Sequence, residues 1–86
     1  MTVSIPTPLR SYTAGKAEVQ VAGDLMTDVL VALDRQFPGF RFRIITEQDT
    51  IRPHIRIFIN DQQISTIATP VKHDDRVYII CALSGG

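Results

Sequence analysis

Eighty-six residues with a formal net charge of zero and 44% hydrophobic content make one small globular domain with a modest core and a narrow margin of stability. A balanced charge leaves no basic or acidic field to draw in nucleic acid or an anionic membrane. The composition is also too apolar for a disordered chain.

In chain order, the run Thr2-Val3-Ser4-Ile5-Pro6 is β-rich, with Val3 and Ile5 on one face. Residues 7–17, containing Pro8 and Gly15, are turn-like, and residues 17–21 alternate again with Val19 and Val21 on one side. Together they predict an antiparallel hairpin with a long loop. The period then changes. Met26, Val29, Leu30, Leu33 and Phe37 form one helical stripe over about residues 25–37, with Asp24 as the expected N-cap. Pro38 and Gly39 stop it. Residues 41–53 fit a strand, a short helix or a loop. They are locally basic, and with Arg56 they read as a solvated or partner-facing edge. In residues 54–61, Ile55, Ile57 and Ile59 alternate with Arg56, Phe58 and Asn60, which predicts a strand. Asn60-Asp61-Gln62 turns the chain into a short return strand, residues 69–75 form a polar turn, and residues 76–83 form the final strand.

The N-terminal residues lack a basic stretch followed by an apolar one, so no signal peptide is expected. Nothing reaches the apolar length of a membrane span, and cytoplasmic location is the default. Cys81 is the only cysteine, which excludes an internal disulfide and a Cys-ligated iron–sulfur cluster. The last residues are unusual. An apolar strand runs almost to the end and is followed by Ser84-Gly85-Gly86. Such a tail is thin, permissive backbone leaving a rigid strand, a shape suited to reaching into another protein.

The element order is strand, strand, helix, strand, short strand, strand. It predicts an α+β fold of the β-grasp, or ubiquitin-like, kind. The first and last strands pair in the middle of a mixed sheet of four to five strands, with one main helix on one face and the other face bare. The domain is expected over residues 1–83, with 84–86 as a flexible tail.

A β-grasp order ending in Gly-Gly resembles the ubiquitin-like sulfur-carrier family of ThiS and MoaD type. The resemblance covers essentially the whole chain. It is carried by VSIPTPLR at the start, the helix GDLMTDVLVALDRQFPGF, the strand-turn IFIND, the turn-strand HDDRVYII and the terminal SGG. The long opening loop most resembles the cysteine-biosynthesis branch. Relatives often carry proline just before the tail, where this chain has Cys81-Ala82-Leu83-Ser84, a departure that bears on partner choice more than on chemistry.

The resemblance implies a carrier, not an enzyme. An E1-like adenylyltransferase/sulfurtransferase joins the Gly86 carboxylate to AMP from ATP, and a persulfide or sulfide displaces AMP to leave a thiocarboxylate. A sulfur-accepting enzyme of cysteine, molybdopterin or thiazole type then takes the sulfur. ATP belongs to the partner, and no cofactor or metal is expected on this chain, which is expected to be a monomer on its own. Ser84 and Gly85 thread the partner's channel. Docking elsewhere offsets the entropy lost by the tail. With the aliphatic set packed on the helix, Arg56, Phe58, Tyr78 and Ile80 face outward beside the tail, a composition suited to docking.

Other residues carry less. Cys81 lacks a basic sequence neighbour to lower its pKa and reads as a small core-facing hydrophobe. His54 and His73 have no metal-ligand spacing. Asp74-Asp75 reads as turn chemistry. No Ser-His-Asp set or phosphate loop is present. Two other functions are compatible with the tail: a ubiquitin-like modifier conjugated through Gly86, and a non-catalytic β-grasp subunit whose tail is idle.

Overall fold

A computed structural model describes residues 1–82. Strand β1 (Thr2–Ser4) pairs antiparallel with β2 (Glu18–Gln20), and parallel with β5 (Arg76–Cys81). Strand β3 (Ile55–Ile59) pairs antiparallel with β5 and with the short edge strand β4 (Gln62–Ile64). The sheet order is β2-β1-β5-β3-β4, so the first and last strands lie side by side at its centre. This is the expected mixed β-grasp sheet, with helix α1 (Met26–Gln36) across one face.

Period-two alternation decides the two faces. Val3, Val19, Ile55, Ile57, Ile59, Val77 and Ile79 are buried against Met26, Val29, Leu30 and Leu33 of α1. Their partners in alternation, from Glu18 and Gln20 across to Gln63, are exposed or half-buried. The sheet's outer face is therefore bare among the described residues.

One local feature differs from the sequence expectation, the cap of α1, and two others make it more specific. The opening loop contains a 3-10 turn at Thr7–Tyr12, started by proline and pinned by buried Leu9. Asp24 does not cap α1. Leu25 is the N-cap, in extended conformation, and the helix's first free amides find tertiary acceptors: Met26 donates to the Thr69 carbonyl and Thr27 to that of Ile67, each at 2.9 Å. The Asp28 carboxylate reaches back to the amides of Leu25 (2.9 Å) and Asp24 (3.2 Å), the reciprocal half of a capping box. Finally, the ambiguous stretch opens with a short helix, α2 (Phe40–Ile44). Gly39 takes the left-handed conformation (φ 95°), the Asp34 carboxylate accepts from the amides of Gly39 and Arg41 at 3.1 Å, and Phe40 and Ile44 enter the core.

Candidate functional site

The antiparallel register of β3 and β5 sets Arg56 opposite Ile80 and Phe58 opposite Tyr78. All four point away from α1, because their neighbours Ile55, Ile57, Val77 and Ile79 fill the core. They form one block at the end of the sheet where the chain leaves β5. Phe58 and Tyr78 are half-buried, while Ile80 is 45% exposed. The Arg56 guanidinium folds back to donate to the carbonyls of Pro53 (2.6 Å) and Ile55 (3.1 Å). Around Phe58, Tyr78 and Ile80 the outer face is polar. Gln63 stands beside Phe58, Gln20 donates to the Thr2 hydroxyl at 2.8 Å, and Arg76 pairs with Glu18. An apolar centre with a polar rim is the usual anatomy of a docking patch.

The chain's exit from the sheet is well defined. Cys81 is the register partner of Ile55, and one residue later the Ala82 amide donates to the His54 carbonyl at 2.7 Å. Leu83 and the site residues Ser84, Gly85 and Gly86 lie outside the described residues. Cys81 is half-buried and packs against the core. Burial pushes its thiol pKa up, so it is less of a nucleophile than a free cysteine.

At the far end of the sheet the Asp75 carboxylate accepts from the Lys72 amide (2.8 Å) and the Asn60 side-chain amide (3.0 Å). These bonds, with the Lys72 amide foremost, hold its pKa below the usual aspartate value. The Asn60 side-chain Oδ1 in turn accepts from the Arg76 backbone amide at 3.0 Å. Asp75 is thus a turn lock that joins the β3–β4 turn to the start of β5. His54 and His73 are both exposed; His54 lies beside the exit from β5 and His73 in the 70–75 turn. Among the described residues no group of three or more His, Cys, Asp or Glu side chains is placed to hold a metal ion, and no helix is long and apolar enough to cross a membrane.

Sequence reading marks residues 41–56 as a basic, solvated or partner-facing edge but does not bring its side chains together at the exit. Phe42, Arg43, Arg52 and His54 line one shallow cavity there. Nothing in the spacing of residues 41–53 signals this, because the short helix and the loop after it must fold before the four meet.

The chain matches the model of the ThiS family over residues 3–86. It is 32% identical to the sulfur carrier protein CysO of Mycobacterium tuberculosis, covering 100% of this chain and 98% of that protein; the crystal structure of the same M. tuberculosis carrier superposes with a TM-score of 0.90, at 30% identity over 95% of this chain and 98% of that one. A chain in the Amycolatopsis orientalis BexX/CysO complex superposes with a TM-score of 0.92 at 28% identity, covering 99% of this chain and 98% of that one. The small archaeal modifier protein 1 of Methanosarcina acetivorans gives a TM-score of 0.81 at 26% identity, covering 99% and 94%.

Proposed function

This chain belongs to the ThiS family and is a small sulfur carrier, not itself an enzyme, and we propose that it works through the carboxylate of Gly86. An E1-like partner adenylates that carboxylate with ATP and releases pyrophosphate. Sulfide, or a persulfide whose S–S bond is then cleaved by a thiol, displaces AMP and leaves the thiocarboxylate. The acceptor we favour is a cysteine-forming enzyme, on the likeness to the CysO carriers. The observation that carries the reading is the whole-chain family match reaching a terminal Gly85-Gly86.

The chemistry explains the tail. A carboxylate is a poor electrophile until AMP makes a good leaving group, and the carrier has only to deliver that one carbon into several active sites. Glycine has no Cβ and reaches dihedrals closed to other residues, so Gly85 and Gly86 suit a narrow channel, with Ser84 leading in. The domain of residues 1–83 is the handle and 84–86 the working end. Docking by Arg56, Phe58, Tyr78 and Ile80 would offset the entropy lost when the tail is ordered.

The test is the intact mass of the protein after incubation with an E1-like enzyme, ATP and sulfide. The expected result is replacement of one oxygen by sulfur, mapped to Gly86. No gain, with the enzyme active on another carrier, would overturn the proposal. The likeness to a small archaeal modifier favours a second reading, conjugation of Gly86 to a lysine. It predicts covalent adducts on other proteins in place of a stable thiocarboxylate.

A further inference from the structure

We propose that Arg43 and Arg52, walled by Phe42 and His54, form a cationic cradle at the exit from β5 that docks on acidic side chains around the opening of the adenylating enzyme. The inference rests on the sulfur-carrier cycle above and names part of the surface that recognises its first partner.

The cradle is a shallow cavity of about 270 Å³ lined by these four residues. Its two guanidinium groups are held in place without a carboxylate partner among the described residues. Arg52 lies over the Phe42 ring, 4.7 Å from its centroid, and its Nε donates to the Phe42 carbonyl at 2.8 Å. Arg43 lies over the Tyr12 ring at 4.5 Å. Stacking fixes a guanidinium while leaving its outer N–H groups free to donate. Among the described residues the ion pairs are Arg41–Asp49 and Arg76–Glu18, so neither cradle arginine has a carboxylate. Phe42 is 56% exposed, a large ring held open to solvent beneath a cation.

Position selects the occupant. The His54 carbonyl accepts the Ala82 amide at 2.7 Å, so the cradle adjoins the point where the chain departs toward Gly86. An enzyme that admits the tail must bring the rim of its opening onto this surface. The complement of two pre-set guanidinium groups on such a rim is carboxylate. The zero net charge conceals a polarity: Asp61, Asp74 and Asp75 occupy turns at the opposite end of the sheet. A carrier with cations around its working end and carboxylates at the other approaches an acidic opening tail first.

The experiment measures thiocarboxylation of the full chain by intact mass, with the adenylating enzyme that modifies the wild type, over a range of sodium chloride concentrations. Wild-type KM is expected to rise with salt. Arg43→Glu/Arg52→Glu should raise KM about tenfold or more at low salt and lose most of the salt dependence. Arg43→Gln/Arg52→Gln should do the same to a smaller degree, and Lys72→Glu, in the turn at the opposite end of the sheet, should keep the wild-type KM. Should the glutamate variant fail to fold by circular dichroism, the glutamine variant and the wild-type salt series decide the matter. A salt-independent wild-type KM, or an unchanged KM in the folded arginine variants, would overturn the cradle and leave the carrier reading intact. Absence of any sulfur gain on the wild type would overturn both.

Discussion

The Ala82 amide donates to the His54 carbonyl at 2.7 Å, one residue beyond the end of β5. The ladder between β3 and β5 thus holds the chain up to residue 82, and the described core is built from residues ahead of that point. Deleting Gly86, or Gly85 and Gly86, is therefore expected to shift stability by no more than about 0.5 kcal/mol, as for other changes outside the core. The same deletions should abolish the sulfur gain. Urea unfolding and intact mass check the two halves of the prediction. A truncated chain that still acquires sulfur would exclude Gly86 as the reacting carboxylate.

Phe58 and Tyr78 face each other across β3 and β5 on the bare side of the sheet. Truncating either to alanine removes one cross-strand aromatic pair, worth about 0.2–1 kcal/mol of folding stability. As an anchor at a docking surface the same ring is worth about 2 kcal/mol or more. Phe58→Ala and Tyr78→Ala should each weaken binding to the adenylating partner by more than they weaken folding, compared by calorimetric titration and urea midpoints. Unchanged binding in the folded variants would remove the sheet face from the interface.

Gly23 is required by packing against the start of α1. A Cβ built there falls 2.8 Å from the Asp28 Cβ and 3.1 Å from the Val29 amide nitrogen. Neither atom is the free end of a flexible side chain, so Gly23→Ala must push the helix start away and disturb the Asp28 bonds to Asp24 and Leu25. We expect a loss of about 1–3 kcal/mol, visible as a lower thermal midpoint. Asp28→Ala, which removes the capping carboxylate without adding bulk, should cost about 1 kcal/mol.

Asp75 sets a pH dependence. Its folded pKa lies below the ordinary aspartate value, through the bonds from the Lys72 amide and Asn60. The unfolded chain therefore binds the proton more readily, and stability falls as pH drops from the ordinary aspartate range through the depressed folded value. At neutral pH Asp75→Asn should be less stable than the wild type. The gap should close as the solution is acidified below both pKa values. Urea midpoints measured from pH 7 to pH 2 would show it, and a gap independent of pH would assign the effect of the substitution to shape alone.

The parts of the fold governed by simple periodicity were legible in the sequence. Ile55, Ile57 and Ile59 alternate because one sheet face is buried, and Met26, Val29, Leu30 and Leu33 repeat because one helix face is. The segment Phe40-Arg41-Phe42-Arg43-Ile44 stays open between strand, short helix and loop because it alternates like a strand, and the structure makes it a helical turn. Five residues are too few to display a helical period, and the deciding contacts come from elsewhere: the Asp34 carboxylate on the amides of Gly39 and Arg41, and core space for Phe40 and Ile44. Asp24 fails as a cap for a similar reason, since the carbonyls of Ile67 and Thr69, some forty residues on, already serve the first helical amides. The sheet-face residues Arg56, Phe58, Tyr78 and Ile80 could be read from alternation alone, and the structure places them together. The exit cradle could not, because Arg43, Arg52 and Phe42 meet through a bend that no local pattern announces.

The parallel pairing of β1 with β5 has a practical corollary. Thr2 is the register partner of Arg76, so the chain enters the sheet at the pole opposite the one where it leaves, about 17 Å away along the six residues of β5. The Met1 ammonium donates to the Val21 carbonyl at 2.7 Å, a bond that an ordinary peptide N–H at that position could also make. A fluorophore, an affinity handle or a whole second domain attached ahead of Met1 would ride at the back of the molecule, leaving the exit cradle and the last residues unobstructed for pull-down, single-molecule or fusion experiments.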